Sequence, residues 1–143
     1  MADYVIDSSV VSKFFLPEPL SDKADRLLQD YLAGNVLLVA PEHLTAELAN
    51  VLWKNRRRGL LTVPEVREHL ADFFSLNILL VSLAESLVDA AVGLAVQFDR
   101  TVYDALYLAL GQQLNMPFVT ADERLINAIR PHFADAIWLG DLY

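Results

Sequence analysis

At 143 residues, 55% of them hydrophobic, the chain is the size of one domain and has the apolar content for a sizeable core. Its net charge of −8 gives it no general attraction for polyanions, so a nucleic-acid substrate would need cations in the site or a local basic patch. With no cysteine, disulfides, thiolate zinc sites and cysteine nucleophiles are excluded, which fits a cytoplasmic location.

No apolar run is long enough to span a bilayer, and Met1-Ala2-Asp3-Tyr4 lacks the basic-then-apolar pattern of a secretory signal. A soluble, non-membrane protein is expected, with one domain over residues 1–143. Tyr4-Val5-Ile6 reads as a buried strand ending at Asp7. Ser8 and Ser9 follow, then Val10, Val11, Phe14 and Phe15 at helical spacing, so Asp7 stands at a strand-to-helix turn. Pro17 and Pro19 break that helix. A second helix is expected from about Ser21 to Ala33, with Ala24, Leu27, Leu28, Tyr31 and Leu32 as its apolar stripe.

Val36 to Val39 is the next strand, closed by Ala40-Pro41. A long helix runs from about Glu42 to Arg58 and stops at Gly59, with Arg56, Arg57 and Arg58 in its last turn, where the helix dipole favours cations. Thr62 to Glu65 forms a capping box for a further helix with Val66, Leu70, Phe73 and Phe74 on its inner face. Ile78 to Val81 is the third strand, and Ser82 to Phe98 an apolar-rich helix. From Val102 to Leu110 only Asp104 is charged, so this helix should be buried. Phe118-Val119-Thr120 is the fourth strand, Asp122 to Arg130 a helix, and Ala136 to Leu139 a short edge strand. Strands alternating with helices indicate a mainly parallel sheet of four to five strands between helical layers.

Four acids carry the chemistry. Asp7 and Asp122 follow predicted strands, where open α/β sheets place their ligands. Each also has an ordinary explanation, Asp7 as a helix cap and Asp122 within a Thr120-to-Glu123 capping box. Glu47 falls on the same helix face as Leu44, Leu48 and Val51, where a Glu is almost never buried without a partner. Asn50 is a candidate to hold it. Asp104 opens a helix whose cap oxygen Thr101 can already supply. Two like charges ~4 Å apart repel by about 4 kcal/mol at an effective dielectric of ~20, so four converging carboxylates call for protons or a cation. Carboxylate oxygens favour Mg²⁺ or Mn²⁺, the equipment of phosphodiester hydrolysis.

These residues resemble the PIN-domain family, and within it the VapC-type toxins of toxin–antitoxin pairs. The likeness rests on Val5 to Val10, on Pro41 and Glu47 to Leu52, on Val102 to Ala109, and on Val119 to Asp122, in order across the chain. It implies a three-layer α/β/α sandwich with Asp7, Glu47, Asp104 and Asp122 gathered at one end of the sheet as catalytic and metal-binding acids. Thr120 would be a supporting hydroxyl and Ser8 a lesser one. It further implies Mg²⁺- or Mn²⁺-dependent endoribonuclease activity, an RNA substrate, an antitoxin partner reaching the acids with an Arg or Lys, and a homodimer. Asp99 has no assigned part beyond a loop between helices. Arg56 to Arg58 are read either as RNA-phosphate contacts or as a solvated helix end. His43, His69 and His132 are read as surface residues, Trp53 and Trp138 as packing residues.

Other readings are a PIN-fold protein-binding module with weak or no nuclease activity, or an aspartyl-phosphate enzyme. The last is disfavoured. Ser9 stands where a haloacid-dehalogenase-type phosphatase needs a second Asp, and no Lys follows Lys54, as a receiver domain would require.

Overall fold

The structure is a computed structural model that describes residues 2–143. Five strands form one sheet: β1 (Ala2–Ile6), β2 (Val36–Pro41), β3 (Leu79–Val81), β4 (Phe118–Thr120) and β5 (Ala136–Trp138). Their order is β3-β2-β1-β4-β5 and every pairing is parallel. The helices are α1 (Ser8–Val11), α2 (Ser21–Leu32), α3 (Leu44–Arg57), α4 (Val63–Ser75), α5 (Glu85–Phe98), α6 (Val102–Leu114) and α7 (Glu123–Ile129). A 3₁₀ turn over Ser12–Phe14 continues α1, and another follows β5.

The chain moves one way across the sheet from β1 to β3, then returns to add β4 and β5 on the other side of β1. With right-handed crossovers, these opposed directions send helices to both faces and give the α/β/α sandwich expected from the sequence. The direction reverses at β1 and β4, the two central strands, and a crevice opens beyond their carboxyl ends. Val5 pairs with Phe118 and Ile6 with Val119, so the next step in register faces Asp7 toward Thr120. These four strand residues are buried, which fixes the register that aims the two polar side chains.

α6 lies across β1, β2 and β4 with Ala105 to Gly111 buried. Its first turn departs from the expectation of all-round burial: Val102 and Tyr103 are exposed. That end projects past the sheet, where nothing covers it, and Asp104 lies at the boundary, half-buried. Leu32 and Phe74 also leave their expected inner faces, for they lie in the last turns of α2 and α4 and are exposed. The Thr62/Glu65 capping box is present, with Thr62 Oγ1 accepting from Glu65 N–H and Glu65 Oε1 accepting from Thr62 N–H. The Thr120–Glu123 box is not. Thr120 belongs to β4 and its hydroxyl turns to Asp7, while Asp122 caps α7 by accepting from Leu125 N–H at 3.1 Å. Among the described residues, no helix is long and apolar enough to cross a membrane.

Candidate active site

Asp7 is delivered by β1, the middle strand of the sheet, whose last two residues are fully buried, and is 6% exposed. Its Oδ1 accepts from the N–H groups of Ser9 and Val10, so it caps α1 as well as facing the crevice. Ser9 Oγ donates to the same oxygen at 2.5 Å, and Thr120 Oγ1 donates to Oδ2 at 2.6 Å. Ser9 Oγ also accepts from Ala121 N–H, which ties the end of β1 to the end of β4. The supporting serine is therefore Ser9, not Ser8. The side chain two residues past Asp7 reaches back over the turn, whereas Ser8 makes no side-chain hydrogen bond of this kind. Burial outweighs the hydrogen bonds from Ser9, Thr120 and Val10 and, with the nearby charge of Asp104, pushes the Asp7 carboxyl up to about 6.

Glu47 enters from the first turn of α3. Its inward direction was legible, but its partners were not. Tyr107 of α6 donates its hydroxyl to Glu47 Oε1 at 2.5 Å, and His43 Nε2 lies 3.5 Å from the same oxygen. Asn50 is exposed and makes no such contact, since three residues on the helix carry it outward past Glu47. Nor is His43 a surface residue: its side chain is 9% exposed and packs 4.8 Å from the Tyr107 ring. Burial first, and the Glu47 carboxylate next, drive the Tyr107 phenol far above its ordinary pKa, so it remains a hydrogen-bond donor. A tyrosine on a buried helix face needs a partner for its hydroxyl, and that was the signal available in the sequence.

Asp104 and Asp122 share one cation. Arg100, on the turn between α5 and α6, sets Nε 3.6 Å from Asp104 Oδ2 and Nη2 3.9 Å from Asp122 Oδ2. Burial raises the Asp104 pKa; Arg100 opposes the rise, and the charges of Asp122 and Glu47 add to it. Asp7 feels Asp104, and Asp104 feels both Asp122 and Glu47, so Asp104 is the acid that links carboxylates from three other segments. Arg100 immediately precedes Thr101, the extended cap residue of α6, and from there its side chain folds back to Asp104 in the first turn of that helix. Asp99 is exposed and ends α5 in the left-handed region, φ 52°, away from this cluster's hydrogen bonds. A groove of about 630 Å³ with Lys13, Arg124 and Trp138 among its walls opens beside Asp122.

As placed, no group of three His, Asp or Glu side chains among the described residues is drawn close enough to hold one metal ion. The donor chemistry nevertheless suits a hard divalent cation. The groups are carboxylates, oxygen donors of the kind that Mg²⁺ and Mn²⁺ prefer. The residual basic stretch lies elsewhere: Arg56, Arg57 and Arg58 are exposed at the end of α3, with Arg57 over the ring of Trp53 at 5.4 Å. Trp53 is thus half-exposed rather than a packing residue, because it lies on the helix face opposite Leu44, Leu48 and Leu52.

A parallel five-stranded sheet with acids beyond the carboxyl ends of β1 and β4 defines the class of fold, and the relationships of the chain place it in a family. The profile of the PIN domain family matches residues 4–130, and the chain belongs to that family. Ribonuclease VapC3 of Pyrobaculum aerophilum is 36% identical over 124 residues, covering 85% of this chain and 90% of its own. Among solved structures, PAE2754 from Pyrobaculum aerophilum superposes with a TM-score of 0.70 at 21% identity, over 99% of this chain and 93% of that one. VapC20 of Mycobacterium tuberculosis, described as a sarcin-ricin loop cleaving toxin, gives 0.66 at 16% identity, over 91% of this chain and 95% of its own.

Proposed function

We propose that the chain is a divalent-metal-dependent endoribonuclease of the VapC type, the toxin of a toxin–antitoxin pair, acting as one domain over residues 1–143 in the cytoplasm. The observation that carries this reading is that Asp104, near the β1/β4 switch point, is electrostatically coupled to each of Asp7, Glu47 and Asp122. The identity to a protein named a ribonuclease supports the reaction class.

Asp7, Asp104 and Asp122 are the residues proposed to hold Mg²⁺ or Mn²⁺, with Glu47 either sharing the ion or orienting the attacking water. The bound ion would supply Lewis acidity toward the phosphodiester and a more acidic water. Thr120 and Ser9 hold the Asp7 carboxylate in one orientation, one hydroxyl on each oxygen. Tyr107 fixes Glu47 in the same manner, so both acids are positioned before substrate arrives. Burial of Asp7 keeps bulk water from its carboxylate, which strengthens its attraction for a cation.

Incubating the purified protein with RNA and Mn²⁺ or Mg²⁺ tests the reading. Cleavage leaving 5′-phosphate and 3′-hydroxyl ends is expected, and it should stop in EDTA and in Asp104→Asn. Cleavage that persists in EDTA overturns it. The acidic site and the toxin resemblance further predict an antitoxin that places a basic side chain among the acids, and a homodimer. Co-purification with the neighbouring gene's product and light scattering read out both.

A further inference from the structure

Arg100 is anchored at its root and lacks hydrogen bonds at its tip. Its backbone N–H donates to Ala95 O, and the flanking residues are the left-handed Asp99 and the helix cap Thr101, so the main chain is fixed. Its guanidinium is not. Separations of 3.6 and 3.9 Å to Asp104 and Asp122 lie beyond hydrogen-bond length, and Nε is buried without a hydrogen-bond partner. A structural Arg–carboxylate bridge is usually shorter and often bidentate. Here one guanidinium with unused donors stands between two acids of the cluster, at a side-chain exposure of 24% that leaves it partly open to solvent.

We propose, building on the nuclease reading above, that Arg100 is the built-in counter-ion of the acidic site. It balances Asp104 and Asp122 while no divalent ion is bound, yields that place to the ion, and then directs its free donors to a phosphate oxygen of the RNA. The guanidinium suits the second role because its planar fork matches phosphate geometry. It suits the first because a weak, partly solvated ion pair can be released at little cost.

The test is Mn²⁺ uptake by the metal-free protein without RNA, followed by electron paramagnetic resonance, alongside turnover at saturating Mn²⁺. Arg100→Gln should bind Mn²⁺ about five- to tenfold more tightly than wild type, because a competing cation is gone, while kcat falls about tenfold or more. A merely structural arginine would weaken both. Arg100→Lys keeps the charge and guards against a folding defect in the Gln variant. It should bind Mn²⁺ within about threefold of wild type yet still lose turnover, since an ammonium lacks the fork. If wild type binds Mn²⁺ and a natively folded Arg100→Gln binds it no more tightly, the proposal is overturned while the nuclease reading stands. If wild type takes up no Mn²⁺, both fall.

Discussion

Replacing Asp7 by Asn separates what this residue does for catalysis from what it does to the fold. A carboxyl held near 6 instead of 3.8 binds its proton more tightly in the folded chain, by about 3 kcal/mol at ~1.36 kcal/mol per tenfold. For this group the fold is most stable below about pH 4, loses stability as pH rises toward about 6, and is lower by that full amount above it. Asparagine carries no charge to bury. It keeps an oxygen for Ser9 and Val10, but its amide must face Thr120, whose hydroxyl then accepts rather than donates. Losing charge-assisted hydrogen bonds returns about 1–2 kcal/mol of the gain. The ion-free Asp7→Asn protein should therefore be more stable than wild type by about 1 kcal/mol near neutral pH, a rise in Tm of about 3 °C for a chain of this length. Calorimetry in EDTA reads this directly. The advantage should vanish near about pH 5 and reverse toward about pH 4, where the wild-type carboxyl is protonated in the folded chain and its burial no longer costs stability. Excess Mn²⁺ should reverse the order, because only wild type gains stability from ion binding. An Asp7→Asn protein less stable than wild type in EDTA at neutral pH would refute the reasoning.

Three further substitutions probe the supports. Tyr107→Phe removes the donor to Glu47 and should cost about 1.5–3 kcal/mol in urea unfolding, with cleavage reduced several-fold. Thr120→Val takes a buried donor from Asp7 and should move the carboxyl's titration further up, so that the acidic limb of the pH–rate profile shifts to higher pH. Thr62→Ala breaks the α4 capping box, and should lower stability by about 1 kcal/mol while leaving cleavage unchanged.

The strand–helix alternation was legible because each strand is a short apolar run bounded by polar or breaking residues. Asp7 illustrates why the site was legible too. Its helix-cap reading and its strand-end reading are both correct, since one oxygen caps α1 while the other meets Thr120. What stayed hidden depends on contacts between distant segments. Glu47 and Tyr107 are 60 positions apart, and no local pattern pairs a glutamate on one helix with a tyrosine on another. His43 looked like a surface residue because no other histidine pairs with it at helical spacing and such residues are usually exposed, yet α6 packs against it. Leu32 and Phe74 continue their helical stripes, and the pattern carries no information about where the covering sheet ends. Arg100 was hidden as well: it lies outside α6, before the extended cap Thr101, and its reach to Asp122 required the return of the chain at β4.

That late return has a consequence for the newly made chain. The first strand to be synthesised occupies the middle of the sheet, and one of its two neighbours is supplied only by β4. Asp7 meets Thr120 across 113 positions, so the acidic crevice has no walls on that side until most of the polypeptide has emerged. A contact of such long sequence separation forms late and slowly. The crevice at the end of β1 is therefore assembled only when the last third of the chain has folded back onto the first strand.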